Sequence, residues 1–357
     1  MLARTMTILA ADLDDAAIFA AIDDWVLDRA DSTPYHRPGW IRAVARGTGQ
    51  QAIMLVAHAH GNRIAGVLPL NLIHSPLFGR ALVSSGFAVD GGILADDPAV
   101  VEALADACWD MAVRASCTTA ELRGGHLPKA GAGAGWTLKS DAYLNFCKPL
   151  EADDEAQLLA VPRKHRAEIR KGLDNNMTVE IGRDARLLDI HYRLYAQNVH
   201  RLGTPVFPKK MFAQVMAAFG DDADIIMVSE RGVPHSSILS LYHHTTCMPY
   251  WQGATWDARR LRANEVAYFH LMSHARELGC THFDFGRSKV GTGPAAWKRT
   301  WGWEGIPLTY AVRALPGMEP RDINPLSPQY RRKIELWKKL PLSLANIAGP
   351  MISRGLG

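Results

Sequence analysis

The side chains best suited to chemistry are concentrated between Asp284 and Trp303. Phe283 and Phe285 alternate with polar neighbours, which predicts a half-buried strand, and glycines then interrupt the pattern. The segment that follows combines charged and hydroxyl donors with flat aromatic rings: Arg287, Ser288, Lys289, Trp297, Lys298, Arg299, Trp301 and Trp303. This mixture favours a functional loop that binds an acidic or carbonyl-bearing ligand over a segment of core.

Lys298 is the candidate catalytic residue of this loop. It follows Trp297 directly, and the ring would hold the ammonium against negative charge that develops on a reacting carbonyl oxygen, a role that requires no pKa shift. An isolated pair of this kind is more often a solvated lysine beside a core tryptophan, but the glycines and the cluster Arg287 to Lys289 favour a site. Asp284 is interpreted as a residue that orients Arg287 or Lys298, as a base, or as a structural acceptor for loop amides.

A second candidate site is the aromatic strand from Tyr250 to Trp256 with the arginine-rich turn after it. Tyr250 and Trp251 would form walls of a cleft. Asn264 would begin a helix whose N-terminus receives an anion. The simpler interpretation, which the sequence favours, is that Asn264 is a structural N-cap.

Other basic residues form smaller candidate sites. Arg163 and Arg166 belong to a basic helix that either faces solvent or holds a phosphate. His200 and Arg201 end a later helix beside a constrained loop and are candidate ligand contacts, although a lone histidine is more often structural.

The C-terminal segment predicts a basic amphipathic helix from Tyr330 to Leu340. Tyr330, Ile334 and Trp337 share one face, and lysines and arginines surround it. Docking of this face on the protein is the default expectation. Contact with an anionic membrane surface is the alternative.

The elements that position these residues occur twice. Two β-hairpins are predicted, from Ile53 to Leu70 and from Ile225 to Leu241. Each is followed by an amphipathic helix and by a strand with a similar beginning, at Cys117-Thr-Thr and Cys280-Thr-His. The sequence therefore predicts two copies of one α/β unit. Only the second carries the aromatic–lysine loop, so the active site is expected at the end of the strand with Asp284.

Composition places the domain boundaries and excludes several classes of protein. The boundaries divide the 357 residues into a scaffold domain at 1–150, an active-site domain at 151–315, and a proline-rich connector with a helix at 316–357.

A net charge of +4 is small for a nucleic-acid coat. Five widely spaced cysteines argue against a disulfide framework and a zinc site, and no metal is expected. The absence of a signal sequence and of a spanning apolar run predicts a cytoplasmic location, with peripheral contact at the inner face of the membrane as an addition.

The second half resembles the FemAB-like branch of the GNAT acyltransferases. The resemblance is carried by Asn198 to Pro205, by Phe283 to Lys289, by Gly291-Thr-Gly293 and by Trp297 to Gly302. The layout of nearly the whole chain is similar, including the tail. In particular, it looks like the members associated with exosortase/PEP-CTERM exopolysaccharide loci.

This resemblance implies an α/β (α+β) fold of two tandem GNAT-like domains, each a mixed twisted sheet flanked by helices, with a basic C-terminal helix. It also implies acyl or aminoacyl transfer to an amine or hydroxyl of a cell-envelope glycan or its lipid-linked precursor, without a cofactor. Trp297-Lys298 matches the family's aromatic–lysine pair, whose lysine stabilises the carbonyl oxygen. Arg163 to Lys171 matches the family's basic helix near precursor phosphates, and Trp251 and Trp301 would line the cleft.

The resemblance leaves the acyl donor open between aminoacyl-tRNA and acyl-CoA. The sequence has no helical-hairpin insertion of the kind that cell-wall Fem proteins use for tRNA, and Arg259 to Asn264 lacks the two glycines of an acyl-CoA pyrophosphate loop. Two other functions stay open. One is a non-catalytic protein that recognises a glycan or lipid-linked sugar, and the less favoured one is an RNA-binding module. No DNA partner is expected.

Overall fold

The computed structural model describes residues 6–76, 78–131, 133, 135–321 and 328–357. Its first half contains, in chain order, β1 (Thr7–Ala10), α1 (Ala16–Leu27), α2 (Pro38–Thr48), β2 (Gln51–Ala59), β3 (Arg63–Ser75), β4 (Gly79–Ser84), β5 (Leu94–Ala95), α3 (Pro98–Arg114), β6 (Thr119–Arg123), β7 (Thr137–Asn145) and β8 (Cys147–Pro149).

The second half continues with α4 (Asp154–Ala160), α5 (Arg163–Leu173), β9 (Thr178–Gly182), α6 (Ala185–Leu202), α7 (Lys209–Phe219), β10 (Ala223–Glu230), β11 (Val233–His243), β12 (Thr246–Ala254), α8 (Ala258–Leu261), α9 (Ala263–Glu277), β13 (His282–Asp284), β14 (Ser288–Lys289), α10 (Gly293–Thr300) and β15 (Ile306–Ala314). Two helices follow, α11 (Pro328–Lys338) and α12 (Leu342–Ser353).

The two halves repeat one order of elements. β2 and β3 form an antiparallel hairpin in the first half, and β10 and β11 form one in the second. A helix, α3 or α9, then returns the chain so that β6 lies parallel to β4 and β13 lies parallel to β12. The duplicated α/β unit predicted from the sequence is therefore confirmed.

Local sequence explains why these segments form these elements. β10 begins with a near-continuous apolar run from Ala223 to Val228 and is buried on both faces, because helices of the second half pack against it. The turn into β11 places Gly232 at a φ of 77°, where glycine is favoured. Helix α3 begins at Pro98 after Asp97, whose carboxylate accepts from two amides of the first turn.

The two sheets exchange strands. The first sheet has the order β1-β2-β3-β4-β6-β15-β7-β14, with β5 on β3, and the second has the order β8-β13-β12-β11-β10-β9. β8 leaves the first half to pair with β13, and β15 leaves the second half to lie between β6 and β7. The chain therefore crosses between the sheets in both directions. The boundaries near residues 150 and 315 stay a prediction.

A shared core holds the two sheets together. Separate clusters pack α3 on the first sheet and α9 on the second, and a third cluster contains residues of both halves. In the shared cluster Trp40 of α2 stacks on Trp251 of β12, with ring centroids 6.0 Å apart. Helices α2 and α7 approach closely at Gly47, where an added Cβ would lie 2.8 Å from Met211 N. This packing fixes the side chains at the junction of the sheets.

The basic helix α11 packs on the end of α6. Ile334 lies against Gly203, and Nε2 of His200 lies 3.2 Å from the carbonyl oxygen of Trp337. The side chain of Tyr330, predicted to share this face, lies outside the described residues. Across the described ranges, no helix combines the length and the apolar character needed to cross a membrane.

Candidate active site

The loop after β13 begins at Asp284, whose half-buried carboxylate fixes two neighbouring groups. Its Oδ1 accepts the amide of Gly286 at 2.7 Å, and its Oδ2 accepts Nδ2 of Asn145, at the end of β7, at 3.2 Å. Gly286 has a φ of 68°, which lets the chain turn away from the strand. Asp284 therefore does bond the loop backbone, one of the roles expected from the sequence.

Lys298 binds the same loop from helix α10. Its Nζ donates to Gly286 O at 2.7 Å and to Arg287 O at 3.1 Å, and it lies 5.3 Å from the ring centroid of Phe146. Burial lowers the pKa of Lys298 to about 7; Arg287 acts in the same direction and Asp284 acts against it. The role predicted from the sequence required no pKa shift. In the structure the pKa of Lys298 is nevertheless lowered, so its amine gains or loses a proton near neutral pH.

Arg287 connects the loop to the first half of the chain. Its Nη1 donates to the hydroxyl of Tyr310 at 2.8 Å, and its guanidinium lies 4.5 Å from the ring centroid of Tyr143. The Tyr310 hydroxyl in turn donates to Val89 O at 2.8 Å. Strands β7 and β15 thus position Arg287 against a loop between β4 and β5.

That loop, residues 85–92, is held by its carbonyl groups. Four successive carbonyls accept from four different parts of the chain: Gly86 O from Trp40 Nε1, Phe87 O from the Tyr250 hydroxyl, Ala88 O from Arg123 Nη1, and Val89 O from the Tyr310 hydroxyl. Because donors outside the loop bind all four carbonyls, the backbone of this loop is held in one conformation. Its next residue is Asp90.

Asp90 is the residue that sequence reasoning missed. It lines a small cavity of about 30 Å³ together with Asp284. The lining is completed by Thr33, Tyr35, Val89, Asn145, Met248 and Leu308. The only local signal was that Asp90 precedes Gly91 and Gly92, which predicts a turn but gives no partner.

Both carboxyl groups of the cavity hold a proton more readily than carboxyl groups in water. Burial raises the pKa of Asp90 to about 6, and the charge of Asp284 adds to this rise, while the amides of Gly91, Gly125 and Gly92 oppose it. Burial also raises the pKa of Asp284, against hydrogen bonds from Gly286 and Asn145 and the charge of Lys298. Two carboxylates in one poorly hydrated space are difficult to ionise together. The cavity can therefore hold or accept a proton near neutral pH.

The predicted tryptophans near Lys298 are packing residues. Trp297 lies 5.0 Å from the ring of Tyr268. Trp301 is 1% exposed and lies 4.8 Å from the ring of His165. Trp301 belongs to the core cluster of the second sheet, and Trp297 packs against that cluster. They fix α10, and with it Lys298, instead of forming open cleft walls.

Ser288 and Lys289 are brought to the loop by β14, which pairs with β7. The Ser288 Oγ is buried and has no hydrogen-bond partner among the described residues. Lys289 Nζ lies 5.8 Å from the ring centroid of Tyr143. Both residues therefore lie beside Arg287, as the sequence predicted.

Several other candidates lie elsewhere. Trp251 is a core residue 4.3 Å from the ring of Phe212, so its assignment as a cleft wall is corrected. Tyr250, beside it, does reach the loop at Phe87 through its hydroxyl. Asn264 is not the N-cap of α9, since Arg262 holds that position at a φ of 61°.

The remaining polar candidates form hydrogen bonds with other parts of the protein. Asn264 Oδ1 accepts the hydroxyl of Ser236 at 2.8 Å. His200 contacts α11, and Arg201 donates to Asn198 Oδ1 at 2.7 Å. These three side chains therefore lie in structural contacts, because neighbouring elements supply partners that the sequence pattern did not reveal.

The basic side chains of helix α5 have two different environments. Arg166 donates to Leu159 O at 2.9 Å and to Val161 O at 3.1 Å, so its guanidinium caps the end of α4. Arg163 is exposed. His165, which sequence reasoning did not select, is buried beside Trp301, with its Nδ1 3.2 Å from Thr300 Oγ1.

The arginine-rich turn before α9 also binds its own backbone. Arg262 Nη1 donates to Arg259 O at 2.6 Å and to Arg260 O at 3.0 Å, and its Nε pairs with Glu168. The short helix α8 occupies the place where the sequence predicted an open anion site. Arg260 remains exposed there.

The fold is shared with known proteins. Residues 161–299 match the model of the acetyltransferase (GNAT) domain family. A tandem GNAT protein from the clavulanic acid biosynthesis pathway aligns with a TM-score of 0.55 at 13% identity, over 88% of this chain and 100% of that one. The chain has a tandem GNAT fold.

Two further solved structures share this GNAT fold. FemX aligns with a TM-score of 0.65 at 15% identity, over 85% of this chain and 96% of its own. The C-terminal domain of a proposed lysylphosphatidylglycerol synthetase from Agrobacterium fabrum aligns with a TM-score of 0.54 at 13% identity, over 82% of this chain and 91% of its own. At these identities the likeness shows the fold alone. No curated protein sequence matches the chain.

The two GNAT units use a matching acidic position differently. Glu121 of β6 corresponds to Asp284 of β13 when the strands that begin at Cys117 and Cys280 are aligned. Burial opposes the charge of Glu121, but Arg123, whose Nε donates to it at 2.6 Å, outweighs burial and lowers its pKa. Among the described residues no arginine pairs with Asp284, which lines the cavity. The first unit therefore has an ion-paired carboxylate at the position where the second has a carboxyl group with a raised pKa.

Proposed function

We propose that the chain is an acyl- or aminoacyltransferase of the FemAB-like GNAT class, which acts on an amine or hydroxyl of a cell-envelope glycan or its lipid-linked precursor. The observation that carries the proposal is the carboxyl pair Asp90 and Asp284 beside the Lys298 loop. Acyl transfer needs a base for the attacking group and a donor for the carbonyl oxygen. In this site Asp90 would be the base and Lys298 the donor. The resemblance to FemAB-like proteins supports the acceptor class and a role in exopolysaccharide formation.

In the proposed reaction the acceptor nitrogen or oxygen attacks the acyl carbonyl carbon. The bond from that carbon to the ester oxygen or thioester sulfur of the donor breaks. Asp90 takes the proton of the attacking group, since a carboxyl group with a pKa of about 6 is mostly ionised at neutral pH and is still basic. The departing oxygen or sulfur then takes up the proton that Asp90 accepted, which restores the carboxylate.

The volume of the cavity between Asp90 and Asp284 limits how much of the acceptor would enter it. A cavity of about 30 Å³ holds on the order of two waters at about 10–15 Å³ of probe volume each. An amino or hydroxyl group therefore fits between Asp90 and Asp284, while the body of the glycan stays outside. Exposed Arg163 is the candidate contact for a precursor phosphate.

Lys298 would stabilise the carbonyl oxygen. A protonated amine has three N–H donors, and two of those on Lys298 bind Gly286 O and Arg287 O. These two hydrogen bonds fix the direction in which the third N–H of Lys298 points. Holding the ammonium in this way before the reaction reduces the reorganisation needed when negative charge develops.

A transfer assay with the native chain and Lys298→Met tests the proposal. The donors are aminoacyl-tRNA and acyl-CoA, and the acceptors are amino sugars on nucleotide or lipid carriers. We expect turnover with one donor class and a loss of about 100-fold or more in the variant. Its fold should persist, with stability lower by about 1–3 kcal/mol because two backbone carbonyls lose their donor.

Two results would reject this reading. Full activity of Lys298→Met would remove Lys298 from the reaction. Thermal stabilisation by a sugar ligand without turnover from either donor would instead favour a non-catalytic glycan-binding protein.

A further inference from the structure

Helix α12 packs on the protein with its small residues. Ala345, Gly349 and Ser353 are buried. Ser353 Oγ donates to Val206 O at 2.9 Å, and an added Cβ at Gly349 would lie 2.7 Å from Val206 Cγ1. The close approach of α12 to the protein therefore depends on small side chains.

The large apolar residues of α12 face the opposite way. Leu344 is 53% exposed, Ile347 69% and Met351 71%, and Leu340 just before the helix is 38% exposed. Spacings of three and four residues place them on one side of the helix, and we call them the α12 stripe. A helix that docks on its own domain normally buries its large apolar residues. This one leaves them unburied, so folding of the chain does not require the stripe.

Positive charge is concentrated in the chain segment that contains the stripe. Residues 331–354 contain six Lys and Arg and one Glu, a net charge of +5, while the whole chain has +4. The remaining residues therefore sum to −1. Lys338 and Lys339 are exposed immediately before α12, next to Leu336, which is 67% exposed. An apolar stripe with flanking lysines is typical of helices that lie in the headgroup region of an anionic membrane.

We propose that the α12 stripe docks the chain on an anionic lipid membrane, with α12 parallel to the surface. Leu344, Ile347 and Met351 enter the boundary between headgroups and acyl chains, and Lys338 and Lys339 contact lipid phosphates. The apolar face of α11 cannot make this contact because α6 occupies it at Ile334.

Charge favours lipid over a second copy of the chain as the occupant. A symmetric dimer through the α12 stripe would place two equivalent surfaces against each other. Each would bring the same +5 segment, and like charges would face each other across the contact. An anionic membrane has the opposite charge and covers the same apolar side chains.

Vesicle co-sedimentation of the full chain tests this. We expect binding to vesicles of phosphatidylcholine mixed with phosphatidylglycerol, weakened by salt, and little binding to phosphatidylcholine alone. Ile347→Ser with Met351→Ser should reduce binding about tenfold or more, and Lys339→Gln about fivefold. Leu278→Ser is the matched control, since Leu278 is 54% exposed outside this surface, and it should bind as the native chain does.

Three results would overturn the proposal: no preference for anionic vesicles, unchanged binding by the Ile347 and Met351 variant, or dimerisation that this variant abolishes while vesicles are ignored. The measurement needs no substrate. A failure of lipid binding therefore leaves the proposed transfer reaction standing, and a failure of transfer leaves the docking surface standing.

Discussion

At the scale of single residues, the candidate site depends on two carboxyl groups from different halves of the chain. Asp90 is placed by a loop whose carbonyls are bound from other elements, and Asp284 by the end of β13. Burial raises the pKa of both, and the charge of Asp284 adds to the rise at Asp90, so Asp90 can be a base at neutral pH. Nearby Lys298, with a pKa of about 7, must be protonated to stabilise an oxyanion.

The pH dependence of transfer follows from these groups. Activity requires ionised Asp90, so kcat/KM should fall as the pH drops through about 6. It also requires protonated Lys298, so kcat/KM should fall again as the pH rises above about 7. The expected profile, measured by initial rates across pH, is a narrow bell.

Asp90→Asn should remove the acidic limb of this bell and lower kcat/KM about 100-fold or more, because the base is lost. Asp110→Asn is the matched control, since Asp110 is exposed on α3. An Asp90→Asn enzyme with an unchanged acidic limb would show that another group accepts the proton.

At the scale of elements, helix α5 shows that neighbouring arginines have separate tasks. Arg166 fastens the end of α4 through two carbonyls, whereas Arg163 points to solvent at the start of the helix. His165 between them is buried against Trp301, which orients the helix. A basic helix is therefore partly a structural connector and partly an exposed surface.

These roles predict opposite results for two arginine-to-alanine variants. Arg166→Ala should lower the free energy of unfolding by about 1–2 kcal/mol, since Leu159 O and Val161 O lose a charged donor, and should leave phosphate-ligand affinity unchanged. Arg163→Ala should leave stability unchanged and weaken binding of a phosphorylated precursor. Denaturant unfolding and ligand titration of both variants measure this. The opposite pattern would contradict the assignments.

At the scale of the whole molecule, the exchanged strands β8 and β15 and the shared core join the two GNAT units into one packed body. Several histidines are buried in this body, and one of them bonds across the two halves. Ser32 of the first half is 2.8 Å from Nε2 of His243 in the second. Burial lowers the pKa of His36 to about 4 and that of His191 and His243 to about 3. Asp31 acts in the opposite direction on His36, and His244 and Arg37 add to the shift at His243.

Stability should therefore fall with acid. Each histidine is neutral in the folded chain down to about pH 4 or below, while the unfolded chain binds protons below about 6.5. The free energy of unfolding therefore falls as the pH drops below 6.5, and at pH 5 the loss is about 2 kcal/mol for each histidine. Denaturant unfolding at pH 7.5 and pH 5 measures the difference. His36→Gln should reduce the slope, and His74→Gln, at an exposed position, should not.

The amino-acid sequence by itself determined the repeated hairpin, helix and strand, and the position of the glycine-rich loop after β13. These features are encoded within a few residues, by apolar spacing and by turn residues, so a single sequence shows them. The same local patterns placed Arg287, Ser288 and Lys289 together, because they are adjacent in the chain.

Only the tertiary structure decided which distant residues share the site. Asp90 and Asp284 meet because a loop of the first unit and a strand of the second end at one cavity, and no local pattern encodes that contact. Packing also determined that Trp251 is core, that Lys298 is buried enough to shift its pKa, and that α12 turns its large residues outward. Burial depends on what covers a side chain, and the covering elements here come from remote parts of the sequence.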